Sequence, residues 1–174
     1  MSQALQLHQK KRSAASRSDE YATIKDLYKR LCKEYKIYPK LDVCATKENR
    51  KCRRFYFIKE KNPTTGRYRK TNRRNGLKLP WTSDWWCNPP QTEAQTFIIR
   101  GDQQWREFNR NGIMIIPANS TVTKAGAKLL WNKKNPRMYP LLPSPKFIYN
   151  GNLTEETARN RYLVVIWRKR KPKK

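Results

Sequence analysis

The sequence predicts an α/β protein: an open sheet covered by helices on both faces. Three observations carry that expectation. Short apolar runs of strand length recur at Leu41-Asp42-Val43-Cys44, Trp85-Trp86-Cys87, Ile113-Met114-Ile115-Ile116 and Tyr162 to Trp167. Stretches with helical periodicity alternate with them, the order that α/β sheets produce. The chain has 174 residues, 37% of them hydrophobic, which suits one domain with a single core.

The elements follow in order. The first eighteen residues are polar and basic without periodicity and read as a flexible arm. Ile24, Leu27, Tyr28, Leu31, Cys32 and Tyr35 fall at helical spacing, with Thr23 and Asp26 placed to cap that helix. Leu41 to Cys44 reads as a buried strand and Phe55-Tyr56-Phe57-Ile58 as a second. Residues 59–75 (KEKNPTTGRYRKTNRRN) are turn-rich, strongly basic and read as a long loop, which in a domain is usually functional or disordered. Trp85 to Cys87 runs into Asn88-Pro89-Pro90. Thr92 and Gln95 then form a capping-box pattern ahead of Phe97, Ile98, Trp105 and Phe108. Gly101 inside that helix weakens it by ~1 kcal/mol relative to Ala. After Ile113–Ile116 come a helix around Val122–Trp131, a Pro-rich segment, the strand Tyr162–Trp167 and a solvated basic tail over 168–174. The domain proper is thus expected over 19–167.

Forty Lys and Arg against thirteen Asp and Glu leave a net charge of +27. Such an excess opposes folding by self-repulsion and points to a polyanionic partner, nucleic acid before an acidic membrane surface. No apolar run approaches the ~18 residues of a spanning helix, which excludes an integral membrane protein of helical type. The N-terminus lacks a signal-peptide core, which argues against secretion. Cys32, Cys44, Cys52 and Cys87 contain no C-x-x-C pair and read as reduced core thiols, and no metal site is expected. His8 stands alone in the polar arm, leaving little for His-based acid–base chemistry. Cytoplasmic residence is the expectation. Trp81, Trp85 and Trp86 read as packing residues. Arg67, Tyr68, Arg69, Lys70, Arg73 and Arg74 interleave an aromatic with cations and read as a nucleic-acid contact.

The most specific feature is Trp85-Trp86-Cys87-Asn88-Pro89-Pro90. Asn followed by two prolines at a strand end makes a rigid turn that lacks two backbone donors. Its amide oxygen and neighbouring carbonyls can then accept from a substrate amine. A plain strand-terminating turn is the alternative. Asp42, at or near another strand end, falls on the rim where α/β sheets bind ligands, with turn capping as its alternative.

From about Glu20 to Trp167 the chain resembles the phage-type DNA N6-adenine methyltransferases, which have the class I S-adenosylmethionine-dependent, Rossmann-like fold. The blocks that carry the resemblance, in one order, are EYAT, LDVCATKENRKC running to FYF, NGLKLPW, WWCNPP, IMIIPANS and PSPKF. The resemblance implies a single methyltransferase domain acting on adenine N6 in DNA, virus- or mobile-element-encoded. Asn88 and the carbonyl of Pro89, stiffened by Pro90, would hold the amine of an adenine flipped from the stack. Tyr21, Thr23, Asp42 and Asn75 would lie at the cofactor. Three positions depart from the family: Gln91 replaces the aromatic that stacks on the flipped base, Ile24 a proline, and Asn75 an acidic residue. The alternative reading is a methyltransferase-like protein without activity that binds or packages nucleic acid, resident in a virion. Methylation of RNA or of protein glutamine is a third.

Overall fold

In the computed structural model the described residues are 22–57, 59–61, 68–70, 74–131, 134–149, 152–153 and 161–171. The N-terminal arm, Tyr21, Arg67 and Arg73 lie outside them. The chain opens with β1 (Ala22–Thr23) and α1 (Lys25–Tyr35), followed by β2 (Leu41–Asp42) and β3 (Arg54–Phe55). Next come β4 (Lys59–Lys61), β5 (Tyr68–Lys70) and β6 (Trp85–Cys87). A 3₁₀ turn over Gln91–Glu93 leads into α2 (Ala94–Phe108), then β7 (Gly112–Pro117), a second 3₁₀ turn and α3 (Lys124–Leu130). The last strands are β8 (Arg137–Pro140), β9 (Phe147–Tyr149), β10 (Asn152–Leu153) and β11 (Tyr162–Trp167).

A six-stranded mixed sheet runs in the order β3-β2-β6-β7-β11-β8. The first four strands are parallel, while β11 lies antiparallel to both β7 and β8. Alternation along each strand divides the core. Trp85, Cys87, Met114, Ile116, Val165 and Trp167 pack with Phe97, Ile98 and Trp105 of α2. Trp86, Ile113, Ile115, Val164 and Ile166 pack on the other side with Leu27, Leu31 and Cys32 of α1. These strands are therefore buried on both faces, which is why their sequences are continuously apolar. The α/β expectation holds, as does the placement of Ile113–Ile116 in the sheet interior; of the strand expected over Leu41–Cys44 only Leu41-Asp42 pairs, and it too lies inside the sheet. Trp81, Trp85 and Trp86 are fully buried, as expected of packing residues.

Gly101 has a packing reason. A Cβ there would meet Met114 at 3.2 Å and Trp85 at 3.4 Å, so the small residue lets α2 approach the sheet. The helix-propensity cost is offset by that contact.

Several local expectations are corrected. Thr23 is not the cap of α1: it pairs in β1 with Phe147 of β9, and Ile24 occupies the N-cap position without a side-chain bond. Thr92 does not cap α2, because a 3₁₀ turn intervenes and the helix starts at Ala94. The basic loop contains an antiparallel hairpin, with Lys59, Glu60 and Lys61 opposite Lys70, Arg69 and Tyr68. The Pro-rich segment contains β8 and β9, which composition concealed. In the tail, residues 168–170 are exposed but their backbone is held by hydrogen bonds to Asn135, Asn111 and Asn109.

Candidate active site at the carboxyl ends of the parallel strands

From β2 the sheet builds outward to β3, whereas from β6 it builds the opposite way to β7. The strand order thus reverses between β2 and β6, and the crevice beyond their carboxyl ends is where open α/β sheets take ligands. Asp42 ends β2 and pairs in parallel register with Trp86. Asn88 is two residues past Trp86, just beyond the end of β6, which runs ~4.8 Å from β2. The crevice therefore has an acid on one wall and the Asn-Pro-Pro turn on the other.

Asp42 is buried. Its Oδ1 accepts from the Cys44 N–H at 3.2 Å and its Oδ2 from the Lys51 N–H at 2.9 Å. The turn-capping role considered from sequence is thus real, and each oxygen retains acceptor capacity. Burial pushes the carboxyl up to about 6, opposed by those two backbone donors and by the charge of Lys51. The Lys51 ammonium is itself pushed down by burial, and it donates to the Asn49 carbonyl at 2.6 Å.

Asn75 reaches the same neighbourhood through Gly76. A Cβ on Gly76 would lie 1.9 Å from the Val43 carbonyl oxygen, so this segment packs directly on the loop that leaves β2. Asn75 is buried, and its Oδ1 accepts from the Leu77 N–H at 2.9 Å. Trp81 Nε1 donates to the Gly76 carbonyl at 2.8 Å, while the Trp81 N–H donates to Gln104 of α2 at 2.6 Å. An indole and a helix side chain thus fix the Asn75–Gly76 turn.

On the opposite wall Pro89 is buried, and Asn88, Pro90 and Gln91 are half-buried. Gln91 Nε2 donates to the Tyr162 hydroxyl at 2.7 Å. Tyr162 begins β11 opposite Pro117, at the carboxyl end of β7, so antiparallel pairing brings it to this rim. Its ring lies 5.0 Å from that of Phe147, the strand partner of Thr23. Thr23 Oγ1 is buried without a hydrogen-bond partner among the described residues. A contact chain thus links Thr23, Phe147, Tyr162 and Gln91. Sequence reasoning missed Tyr162 and Phe147 as site residues, since an aromatic at the head of an apolar strand reads as core.

The β4–β5 hairpin rises from the same rim. Its base is closed by the Phe57 N–H donating to the Arg74 carbonyl at 2.7 Å, and the Ala45 N–H donates to the Tyr56 carbonyl at 2.8 Å. Tyr68, Arg69 and Lys70 form β5, and Arg74 is exposed at the hairpin's foot. Among the described residues no group of three or more His, Cys, Asp or Glu side chains is placed to hold a metal ion, and the four cysteines are free thiols.

A comparison with curated proteins gave no match. Residues 10–128 match the family described as DNA N-6-adenine-methyltransferase (Dam). That span covers more than half of the chain and contains both Asp42 and the Asn88-Pro89-Pro90 turn, and the chain belongs to the DNA N-6-adenine-methyltransferase family.

Proposed function

We propose that the chain is a DNA adenine N6-methyltransferase that uses S-adenosylmethionine on a Rossmann-like class I sheet. The observation that carries this reading is the crevice at the strand-order reversal, with Asp42 at the end of β2 and Asn88 just past the end of β6. The reversed last strand β11 beside the parallel β7 fits the same fold.

The residues present suit the cofactor. Thr23 offers a buried hydroxyl without a partner among the described residues, Asp42 a buried carboxyl, and Asn75 an amide. Gly76 brings backbone against the β2 loop with no side chain in between. Thr23, Asp42 and Asn75, with Tyr21 ahead of β1, are the residues that would hold S-adenosylmethionine, which when bound supplies a methyl group on a sulfonium. Asn88 Oδ1 and the Pro89 carbonyl accept from the two N–H groups of the target amine. Two acceptors on one amine turn its lone pair out of conjugation with the ring and fix its direction. Alignment of this kind contributes much of an enzyme's rate without a strong base. The rigidity of Pro89 and Pro90 keeps both acceptors in place.

The protonation of Asp42 gives the test. Its carboxyl titrates at about 6 in the folded chain against an ordinary 3.8. Because the folded value is raised, this group's contribution to stability is full below the ordinary value and is lost as pH rises through about 6. Ligand binding that needs the carboxylate runs the other way and strengthens as pH rises through the same window. Calorimetry should show S-adenosylmethionine binding about tenfold weaker at pH 5 than on the plateau above 7, one decade per unit below the pKa. Asp42→Asn should be weak and flat across that range. No binding at any pH by either protein would move the reading to a nucleic-acid-binding or packaging protein, which the charge of +27 also suits.

The hairpin supplies DNA contact in this reading. Neutralising Arg67, Arg69, Lys70, Arg73 and Arg74 together is expected to flatten the slope of log affinity against log salt, by about 0.9 for each phosphate that the protein no longer neutralises. An unchanged slope removes the hairpin from the interface.

A further inference from the structure

The amino-end rim of the sheet, opposite Asn88, carries a basic feature that methyl transfer does not use. Three asparagines hold the backbone of the C-terminal segment residue by residue. Asn135 accepts from the Arg168 N–H at 2.9 Å and donates to the Arg168 carbonyl at 2.8 Å. Asn111 accepts from the Lys169 N–H at 2.9 Å, and Asn109 from the Arg170 N–H at 2.7 Å. Asn111 is itself fixed by Asp84, which accepts from its backbone N–H and its amide, both at 3.0 Å. Trp105 Nε1 donates to the Arg168 carbonyl at 2.8 Å, and the Arg170 guanidinium sits 5.0 Å over the Trp105 ring.

This ladder fixes the backbone of cationic residues that a free tail would leave to wander. Beside it opens a pocket of about 350 Å³ lined by Lys134, Arg137, Arg168, Lys169 and Arg170, and among the described residues no acidic side chain lines it. Concentrating like charge at an ordered place raises the free energy of the unbound protein, and the cost is recovered when an anion enters. Ordering the segment in advance also reduces the entropy lost on binding. The arginine forks match phosphate oxygens.

We propose that this pocket is a second anchoring site for nucleic acid, taking backbone phosphates of duplex DNA. The proposal rests on DNA being the polymer this family acts on, but not on transfer chemistry. The six residues of β7 span the sheet between the two rims, roughly 20 Å at ~3.3 Å per residue. A phosphate held here lies well away from the target base and adds affinity without reading sequence. A concave pocket admits discrete phosphates of a projecting backbone better than the plane of a bilayer.

The test compares two variants of equal charge, without cofactor. One carries Lys134→Gln, Arg137→Gln and Lys169→Gln; the control carries Lys25→Gln, Lys29→Gln and Lys33→Gln on the exposed face of α1. Affinity for a fluorescein-labelled duplex is measured against sodium chloride. The pocket variant should flatten the log–log slope by roughly 2–3 and the control by less than about 1. Equal flattening by both would show diffuse charge and overturn the site, as would an unchanged slope. Loss of binding to phosphatidylserine vesicles with the duplex slope intact would overturn it in favour of a membrane surface. If the triple variant does not melt cooperatively, Lys169→Gln alone keeps the question answerable, with a slope change of about 0.9 expected and none overturning.

Discussion

Asn88→Ala is expected to lower methyl transfer to duplex DNA by one to two decades or more while DNA affinity barely changes. In the proposed mechanism the substitution removes an acceptor for the target amine. A lost partner in a water-poor site costs ~1–3 kcal/mol, and each 1.36 kcal/mol is about tenfold in rate. Loss of aim adds to that. The turn itself should survive, since Pro89 is buried and both prolines hold the backbone. Binding is retained because phosphate contacts dominate affinity. Tritiated transfer from S-adenosylmethionine, with duplex binding measured in parallel, reads both quantities. A parallel fall in binding would make Asn88 a structural residue only. Gln91→Tyr in the same assay should raise transfer, because base stacking on an aromatic is worth ~1–3 kcal/mol. The gain comes against the loss of the bond from Gln91 to Tyr162. Inactivity of wild type and both variants, with DNA still bound, would assign the Asn-Pro-Pro turn no catalytic part.

Gly76→Ala is expected to destabilise the fold and to weaken cofactor binding together. The added methyl would sit 1.9 Å from the Val43 carbonyl oxygen. A backbone oxygen in a packed loop cannot rotate away as a side chain can. Val43 is also tied by its N–H to the Trp86 carbonyl at 3.0 Å. Overpacking of this kind costs ~1–3 kcal/mol or more, and in a domain of this size each kcal/mol lowers Tm by about 2–4 °C. Relief by displacement would push Asn75–Gly76 away from Asp42, so calorimetric affinity for S-adenosylmethionine should fall at temperatures well below Tm. A Gly76→Ala protein with unchanged Tm and affinity would show that the two loops do not pack as described.

Much of the site was legible because its chemistry is local in the chain. Asn88-Pro89-Pro90 announces a rigid turn by composition alone, and Asp42 is an acid at the end of an apolar strand. Trp85–Cys87, Ile113–Ile116 and Tyr162–Trp167 are apolar at consecutive positions because helices cover both faces of their sheet. The shortest strands were legible in place but not in extent: Leu41–Cys44 reads as a strand but pairs only over Leu41–Asp42, and the apolar run that starts at Phe55 pairs only over Arg54–Phe55. In β8, proline-rich surroundings hid a strand that exists by pairing with β11. The capping expectations failed at Thr23 and Thr92 because tertiary pairing and a 3₁₀ turn took those residues first.

By itself the sequence determined the alternation of buried strands with helices, the Asn-Pro-Pro turn at a strand end, the acid at another strand end and the excess of positive charge. Each depends on residues adjacent or one helical turn apart. Tertiary structure alone decided the strand order, and with it the reversal that sets Asp42 beside Asn88. It also decided the antiparallel register that delivers Tyr162 to Gln91, 71 residues apart, and the asparagine ladder that meets the tail across 33 to 61 residues. Such contacts form only after long loops close, and their partners are chosen by the packing of the whole sheet rather than by neighbours in the chain.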